Sequence, residues 1–429
     1  MRDLFNNPLT IERFRLSEKD FSRTRLLSFA RTALLILRGH KLSLQNALNK
    51  LFSTLGELFS VPTASAYSQA RQKLKPELFV HLNDLVCRDF YQLYESDKLV
   101  RRWRGHRLLG CDGTYLNLPD TKQTRLEFSV QTNQYDDGSC VQALGCVLYD
   151  LLNDLSLAAA LGKRQGEKKL LFEQLWQATQ PADVLVLDRH YADYAVFAYA
   201  LAQNRHVIVR LPTRRFSAAQ PFWQSKRSEQ VIKLSCPISA REHVKEKGLA
   251  EEISVRLIRV ELQNGTTEVL VTTLLDRKKY PVYEFKEVYF YRWCEEGFFD
   301  RIKNIFEVER FSGKTPIAIR QDFYGVMFLA SLESVLSKKD EKELKEESKE
   351  RGAISEARVN HAVSYVAMVE RVVQLLLSEE QAEKILEEMH HLFRMKPSRA
   401  RPGRQVERRK ELRYAHKLRF YKYVKKLLA

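Results

Sequence analysis

Apolar residues recur at three- and four-residue spacing through the first hundred positions. The pattern predicts helices over residues 22–38, 43–59, 63–74 and 76–94. Ser or Thr stands at several of the starts, where its oxygen can cap a first turn. The third segment is short, polar and basic, carries Arg71 and Lys73, and follows a turn at Val61 and Pro62. Two arrangements fit it equally: a helix-turn-helix that offers residues 63–74 to DNA, and a plain helical bundle.

From Arg107 the pattern becomes that of strands. Residues 106–118 predict a strand carrying Asp112, and residues 139–149 and 155–161 predict a hairpin. Residues 165–179 and 192–203 read as helices. Between and after them, 183–187 (DVLVL) and 206–211 (HVIVRL) are short apolar runs of the kind buried on both faces of a sheet. Three antiparallel strands followed by strand, helix, strand predict an α/β core with helices on both faces. Residues 212–283 read as a mostly β insertion, with strands on either side of the hairpin dipeptide Asn264-Gly265. Residues 316–336 predict an amphipathic helix, 338–351 an exposed charged helix or linker, and 355–394 further helix. The organisation expected is an all-helical N-terminal domain (1–98), an α/β domain with its β insertion (99–335), and a charged linker with a helical, basic C-terminal region (336–429).

Composition narrows the partner. Lys and Arg number 71 against 54 Asp and Glu, a net charge of +17 over 429 residues, and an excess of this size serves a polyanion. Nucleic acid is the leading candidate. Fourteen of the cations fall between Arg394 and Lys426, interleaved with Tyr414, Phe420, Tyr421 and Tyr423; a solvated tail and a DNA-contacting one fit this stretch equally. The six cysteines include no C-x-x-C pair, so neither a disulfide framework nor a structural zinc site is expected. No apolar run approaches the ~20 residues of a membrane span, and residues 1–10 lack the apolar core of a secretory leader. A cytoplasmic protein that touches no membrane is expected. The lack of a Walker-type phosphate loop argues against a nucleotide cofactor.

The most chemical stretch is residues 289–303, YFYRWCEEGFFDRIK. Tyr289, Arg292, Glu296 and Lys303 stand at offsets 0, 3, 7 and 14, which on a straight helix fall within roughly a 60° arc. An i,i+4 ion pair on a solvated face also accounts for Arg292 and Glu296, and Glu295 projects toward the apolar arc. Asp188 ends the run DVLVL, the position where ligands gather in open α/β sheets, while Asp112 lies within the first core strand. Asp183 and Asp193 are the nearby competitors of Asp188, but neither ends the apolar run. Each aspartate alone fits a cap or turn, and Gly113 beside Asp112 fits a bulge. Taken together, Asp112, Asp188 and Glu296 form a set of hard oxygen ligands suited to Mg²⁺ or Mn²⁺. Two such ions in one site suit in-line phosphoryl transfer.

GCDGTYLNLPD at 110–120, LVLDRHY at 185–191, Y-x2-R-x3-E-x6-K at 289–303 and ERFSGKTPIAIRQDFYG at 309–325 closely resemble the DDE transposases of the insertion sequence 4 family. The resemblance extends to SAYSQARQKL at 65–74 and to the β insertion. It implies a ribonuclease-H-like core in which Asp112, Asp188 and Glu296 hold two divalent metals. It also implies that Tyr289, Arg292 and Lys303 contact phosphates at the transposon end, and that the protein works as a homodimer on double-stranded DNA, cutting and pasting its own element. His190 departs from the pattern, since many relatives have a small residue there. Two other readings stand beside this one: a DNA-binding repressor or architectural protein that has lost catalysis, and a metal-dependent nuclease without strand transfer.

Overall fold

The computed structural model describes residues 2–39, 43–132, 139–262, 265–353, 355–377 and 381–399. The expected turn residue Asn264 and the basic stretch from 400 onward lie outside them. Six helices precede the sheet: α1 (Arg2–Asn6), α2 (Pro8–Phe14), α3 (Phe29–Arg38), α4 (Leu44–Thr54), α5 (Ala64–Arg71) and α6 (Glu77–Leu93). Ser28, Ser43 and Thr63 cap α3, α4 and α5, each accepting a main-chain N–H of the first turn.

The sheet opens with β1 (Leu108–Leu118), followed by α7 (Lys122–Glu127), β2 (Ser129–Thr132), β3 (Ser139–Asp150) and β4 (Leu155–Gly162). Next come α8 (Glu167–Leu170), β5 (Val184–Leu187), α9 (Tyr194–Ala202) and β6 (His206–Arg210). The four side chains of β5 are wholly buried, each worth ~1.5–3 kcal/mol against exposure. This explains why so short a strand sits at the centre. Strand order is β2-β3-β1-β5-β6, with β4 also on β3; β1 pairs antiparallel with β3 and parallel with β5.

The region read as an insertion contains α10 (Gln220–Gln224), β7 (Glu229–Ser235), α11 (Arg241–Glu246), β8 (Glu252–Glu261) and β9 (Thr267–Thr272). Its strands do not stand apart from the core. β9 pairs antiparallel with β6, and the single sheet runs on through β8 to β7. Strand β7 alternates weakly and is half exposed, which is why its pattern is hard to read from sequence.

Residues 289–303 are not one straight helix. They span α12 (Phe285–Phe290), a turn, α13 (Trp293–Asp300) and a π turn over Arg301–Ile305. Helix α14 (Pro316–Leu336) then runs ~30 Å with Thr315 as its cap and Pro316 in its first turn. It is buried along most of its length. The charged segment becomes α15 (Lys338–Glu350), a packed helix rather than a free linker, since Asp340, Leu344 and Ser348 are buried. Helices α16 (His361–Leu377) and α17 (Ala382–Met395) complete the described chain.

Apolar side chains fill both faces of the sheet. Along β1 the faces alternate: Leu108, Leu116 and Leu118 join the core beneath α14 and the N-terminal helices, while Leu109 and Cys111 join the one beneath α9. Among the described residues no helix is long and apolar enough to cross a membrane.

Candidate active site

Strands β1 and β5 pair only at Leu108 with Val184 and Leu109 with Leu185, then part. The gap beyond is the crevice that an open sheet offers a ligand, and two aspartates border it. Asp112 lies three residues past the last pair on β1, and Asp188 is the first residue after β5. Both are half-buried. Asp112 Oδ1 accepts the Gly113 N–H at 2.8 Å and Asp188 Oδ1 the His190 N–H at 2.7 Å, so each carboxylate is braced by its own loop. The competing aspartates are otherwise employed. Asp183 is locked to buried Arg107, whose Nε donates to it at 2.8 Å, and Asp193 caps α9 and pairs with Lys168 and Arg215.

Helix α13 brings Glu296 to the same place. Burial pushes the Asp112 carboxyl above its usual range; the Gly113 N–H pulls it back, Asp188 and Glu296 push it further up, and Arg292 opposes them. All four named charges therefore share one field. Arg292 Nη2 lies 3.4 Å from Glu296 Oε1, the i,i+4 pair expected from spacing. Its guanidinium lies 4.7 Å from the centre of the exposed Trp293 ring, and its Nε is buried without a partner.

Tyr289 is buried, its phenol pushed up to about 12 by burial, and it feels Arg292, Glu268, Arg210 and Asp188. Lys303 sits in the π turn and donates to the Tyr115 carbonyl at 3.1 Å, at the far end of β1. The turn before α13 and the π turn after it break the constant rotation on which a single arc depends. His190 is exposed, its ring beside Tyr191.

Two acids stand near Asp112 that the expected site did not include. Glu295 is buried under β1, with its Oε1 unpartnered and its Oε2 2.6 Å from where a Cβ on Gly110 would stand. Glu167, at the start of α8, puts its Cγ 2.6 Å from the Cβ position of Gly113. Gly110 and Gly113, on either side of Asp112, thus leave room for these two acidic side chains. Burial, then Asp112 and Asp188, push Glu167 up to about 7. Burial and then Asp112 push Glu295 well above the usual range.

Arg71 belongs elsewhere. Its guanidinium is buried and fully engaged: Nε to Gln321 at 3.0 Å, Nη1 to Ser312 at 2.7 Å, Nη2 to Asp322 at 2.8 Å and to the Ala318 carbonyl at 3.2 Å. The expectation that it meets DNA does not survive this placement. Its donors are spent on joining α5 to α14. Lys73, by contrast, is half-buried, with Asp20 3.8 Å away.

Among the described residues no three acidic, His or Cys side chains stand close enough to hold one ion as placed. The donor chemistry nonetheless suits a divalent cation. Asp188 and Glu296 raise the affinity of Asp112 for its proton, and a cation relieves such repulsion.

The family described as Transposase DDE domain matches residues 103–332, just over half the chain. Transposase InsG for insertion sequence element IS4 of Escherichia coli (strain K12) is 27% identical over 272 residues, covering 62% of this chain and 60% of that protein. The match thus spans less than two thirds of the relative. Among solved structures, the cryo-EM structure of the piggyBac transposase synaptic complex with hairpin DNA aligns over 96% of this chain and 87% of that one, at 9% identity and a TM-score of 0.41. A score this low establishes no common fold.

Proposed function

The chain belongs to the transposase DDE domain family, and on that premise we propose that it is the transposase of an insertion sequence, cutting DNA at its own terminal inverted repeats and joining the freed 3′-hydroxyls to target DNA. The observation that carries this reading is the crevice where β1 and β5 part, bordered by Asp112 and Asp188 and reached by Glu296 from α13. Here Asp112, Asp188 and Glu296 would hold Mg²⁺ or Mn²⁺, two ions per site in a ribonuclease-H-like core. Such ions activate the attacking oxygen and stabilise the leaving one in phosphoryl transfer.

The chain's own groups orient the DNA. Arg292, its guanidinium pinned against Trp293, offers a planar donor set to a phosphate. Lys303 supplies a point charge further along β1, and Tyr289 a phenol that stays protonated and able to donate. The N-terminal helices read the inverted repeat. A groove of about 1170 Å³ there is lined by Lys19, Arg23, Arg25, Arg31 and Lys73, which supports contact with a phosphate backbone. Two copies of the chain would hold the two ends.

Strand cleavage of the element's own terminal repeats with Mg²⁺ tests the reading. Cleavage by the natural protein, lost in Asp112→Ala, Asp188→Ala and Glu296→Ala, is expected; normal cleavage by all three variants would sink the site. A pre-cut 3′ end that is never joined to target would make the protein a nuclease only, and tight binding without any cleavage a repressor.

A further inference from the structure

Past Leu109, β1 keeps β3 on one edge in unbroken register to Leu118, and among the described residues no strand pairs with its other edge there. Side chains of one segment take that strand's place. Lys303 donates to the Tyr115 carbonyl at 3.1 Å, and Glu309 Oε1 accepts both the Asn117 N–H at 2.9 Å and the Asn117 side-chain Nδ2 at 3.1 Å. A carboxylate holds an N–H more firmly than a neutral acceptor does. Gln142 stands opposite Asn117 in the ladder and donates to its Oδ1 at 2.9 Å, which turns the amide nitrogen toward Glu309. One row of hydrogen bonds thus joins β3, β1 and Glu309.

Glu309 is an acid in apolar company: it is buried and follows Val308, which joins Ile302 and Phe306 in the core that Leu116 and Leu118 enter. Its bond reaches beyond one strand end. Asp112 lies five residues back from Asn117 on the same strand, a distance of ~17 Å, and Glu296 lies thirteen residues back from Glu309 on the same segment. At the near end Glu295, next to Glu296, packs against the strand, its Oε2 2.6 Å from the Cβ position of Gly110. The stretch of β1 that carries Asp112 is therefore held against the segment that carries Glu296 on both sides of the aspartate, at Gly110 and at Asn117. Loss of the contact at Asn117 leaves the β1–β3 ladder whole. What it frees is the spacing of the two acids.

We propose that Glu309 is a positioning residue: by holding the Asn117 N–H it fixes the open edge of β1 against residues 293–309 and keeps Asp112 and Glu296 at the spacing that cleavage needs. The assignment rests on the site proposed above. Glu309 acts through Asn117 and needs no contact with DNA.

Cleavage of terminal-repeat DNA by the full-length protein with Mg²⁺, with protein in excess over DNA, gives a rate constant and an amplitude separately. Glu309→Leu removes the acceptor at similar volume and is expected to lower the rate constant ~10- to 100-fold, while the amplitude and the protein concentration at half-maximal rate hold. Glu309→Gln keeps an oxygen for the Asn117 N–H and is expected to recover most of the rate. An acid that only stabilises the fold gives the opposite division, a lower amplitude at an undiminished rate constant, and that result would overturn the proposal. So would a loss in Glu309→Gln equal to that in Glu309→Leu, since charge rather than the acceptor would then matter. A natural rate constant in Glu309→Leu, alongside lost cleavage in Asp112→Ala, would overturn the positioning role and leave the three-acid site standing. If Asp112→Ala cleaves like the natural protein, the site itself is wrong and this inference falls with it. Should Glu309→Leu not fold, Glu309→Asp decides: withdrawing the carboxylate by one methylene is expected to cost a rate that Glu309→Gln keeps, and a natural rate constant there would overturn the proposal.

Discussion

At the two ends of α14 buried arginines are matched by acids, whereas at the parting of β1 and β5 carboxylates crowd together with Arg292 as the cation that opposes them. In the first region each buried cation faces an acid. Arg71 spends its donors on Gln321, Ser312, Asp322 and Ala318 near the start of α14. Near its end, Arg301 lies between Glu333, 3.7 Å away, His361 and Tyr149; its Nε and Glu333 Oε2 make no hydrogen bond, so opposite charge balances this end. The second region leaves Glu295 Oε1 and Arg292 Nε unpartnered and Glu167 pushed up to about 7. Balanced charge holds α14 in place; on the proposed reading the unbalanced carboxylates of the crevice take a cation. The contrast is one of charge balance rather than residue type, since both regions use the same Arg, Asp and Glu.

The largest expected effect tests the satisfied side. Asp322→Ala strands the Arg71 guanidinium in the interior, and breaking a buried pair from one side costs ~3–5 kcal/mol. Urea denaturation should show that loss in the midpoint. A loss under ~1 kcal/mol would mean that Ser312, Gln321 and the Ala318 carbonyl suffice, and the comparison would weaken.

The second effect tests the unsatisfied side. A cation that binds the folded chain stabilises it by ~2.7 kcal/mol at one hundred times its dissociation constant. Mn²⁺ should therefore raise the melting temperature of the natural protein but not that of Asp112→Asn. Without Mn²⁺ the order should invert, because removing one member of a repelling group relieves the others. A variant that melts lower than the natural protein in the absence of metal would show that Asp112 is held by structure rather than by ligand.

The third effect concerns pH. Burial pushes Glu333 up, but His361, the hydrogen bond between them, Arg301 and Ser364 outweigh it, so its carboxyl lies below the ordinary value of 4.5. His361 is opposed by burial and by Arg301, yet Glu333 carries it above 6.5. The Glu333 contribution is then present above pH ~4.5 and lost as pH falls through its folded value. That of His361 is present below ~6.5 and lost as pH rises through its own raised value. Stability should peak between, and in His361→Gln the part of the alkaline decline due to this pair should vanish. The imidazole is two-fifths exposed, so the slope is shallow. A decline that persists undiminished in the variant assigns it elsewhere.

How much of this was legible in the sequence differs along the same line. Local patterns carried the strands β1, β3, β5 and β6, and the spacing of apolar residues over 316–336 carried α14, because period is written in neighbouring residues. Asp188 could be found since it ends an apolar run. Arg71 could not be placed, because the Gln321 that receives its Nε lies 250 residues on. Glu167 and Glu295 gave no signal of their own: one opens a four-residue helix, and the other is an acid on an apolar arc, where the wheel reads it as noise. The adjacency of Gly110 and Gly113 to Asp112 was the trace available, two glycines around an acid in a strand, and it fitted a bulge as well as a close approach. The π turn at Arg301–Ile305 shifted Lys303 off its predicted arc, because periodicity assumes a constant rotation per residue and a π turn changes it.

The smallest expected effect asks on which side of the comparison Lys303 falls. Its ammonium donates to the Tyr115 carbonyl at 3.1 Å, and one hydrogen bond from a half-buried lysine resembles the satisfied clamps of α14. Yet the lysine sits in the π turn beside Tyr115, beyond Asp112 along β1, where on the proposed reading a DNA strand would pass. If it serves DNA, Lys303→Ala should change folding stability by no more than ~0.5 kcal/mol. The slope of log affinity for the terminal repeat against log salt should meanwhile shrink in magnitude by about 0.9, one phosphate contact. An unchanged slope with a stability loss above ~1 kcal/mol would move Lys303 to the structural class with Arg71, and would leave Arg292 as the cation that faces the phosphate from this segment.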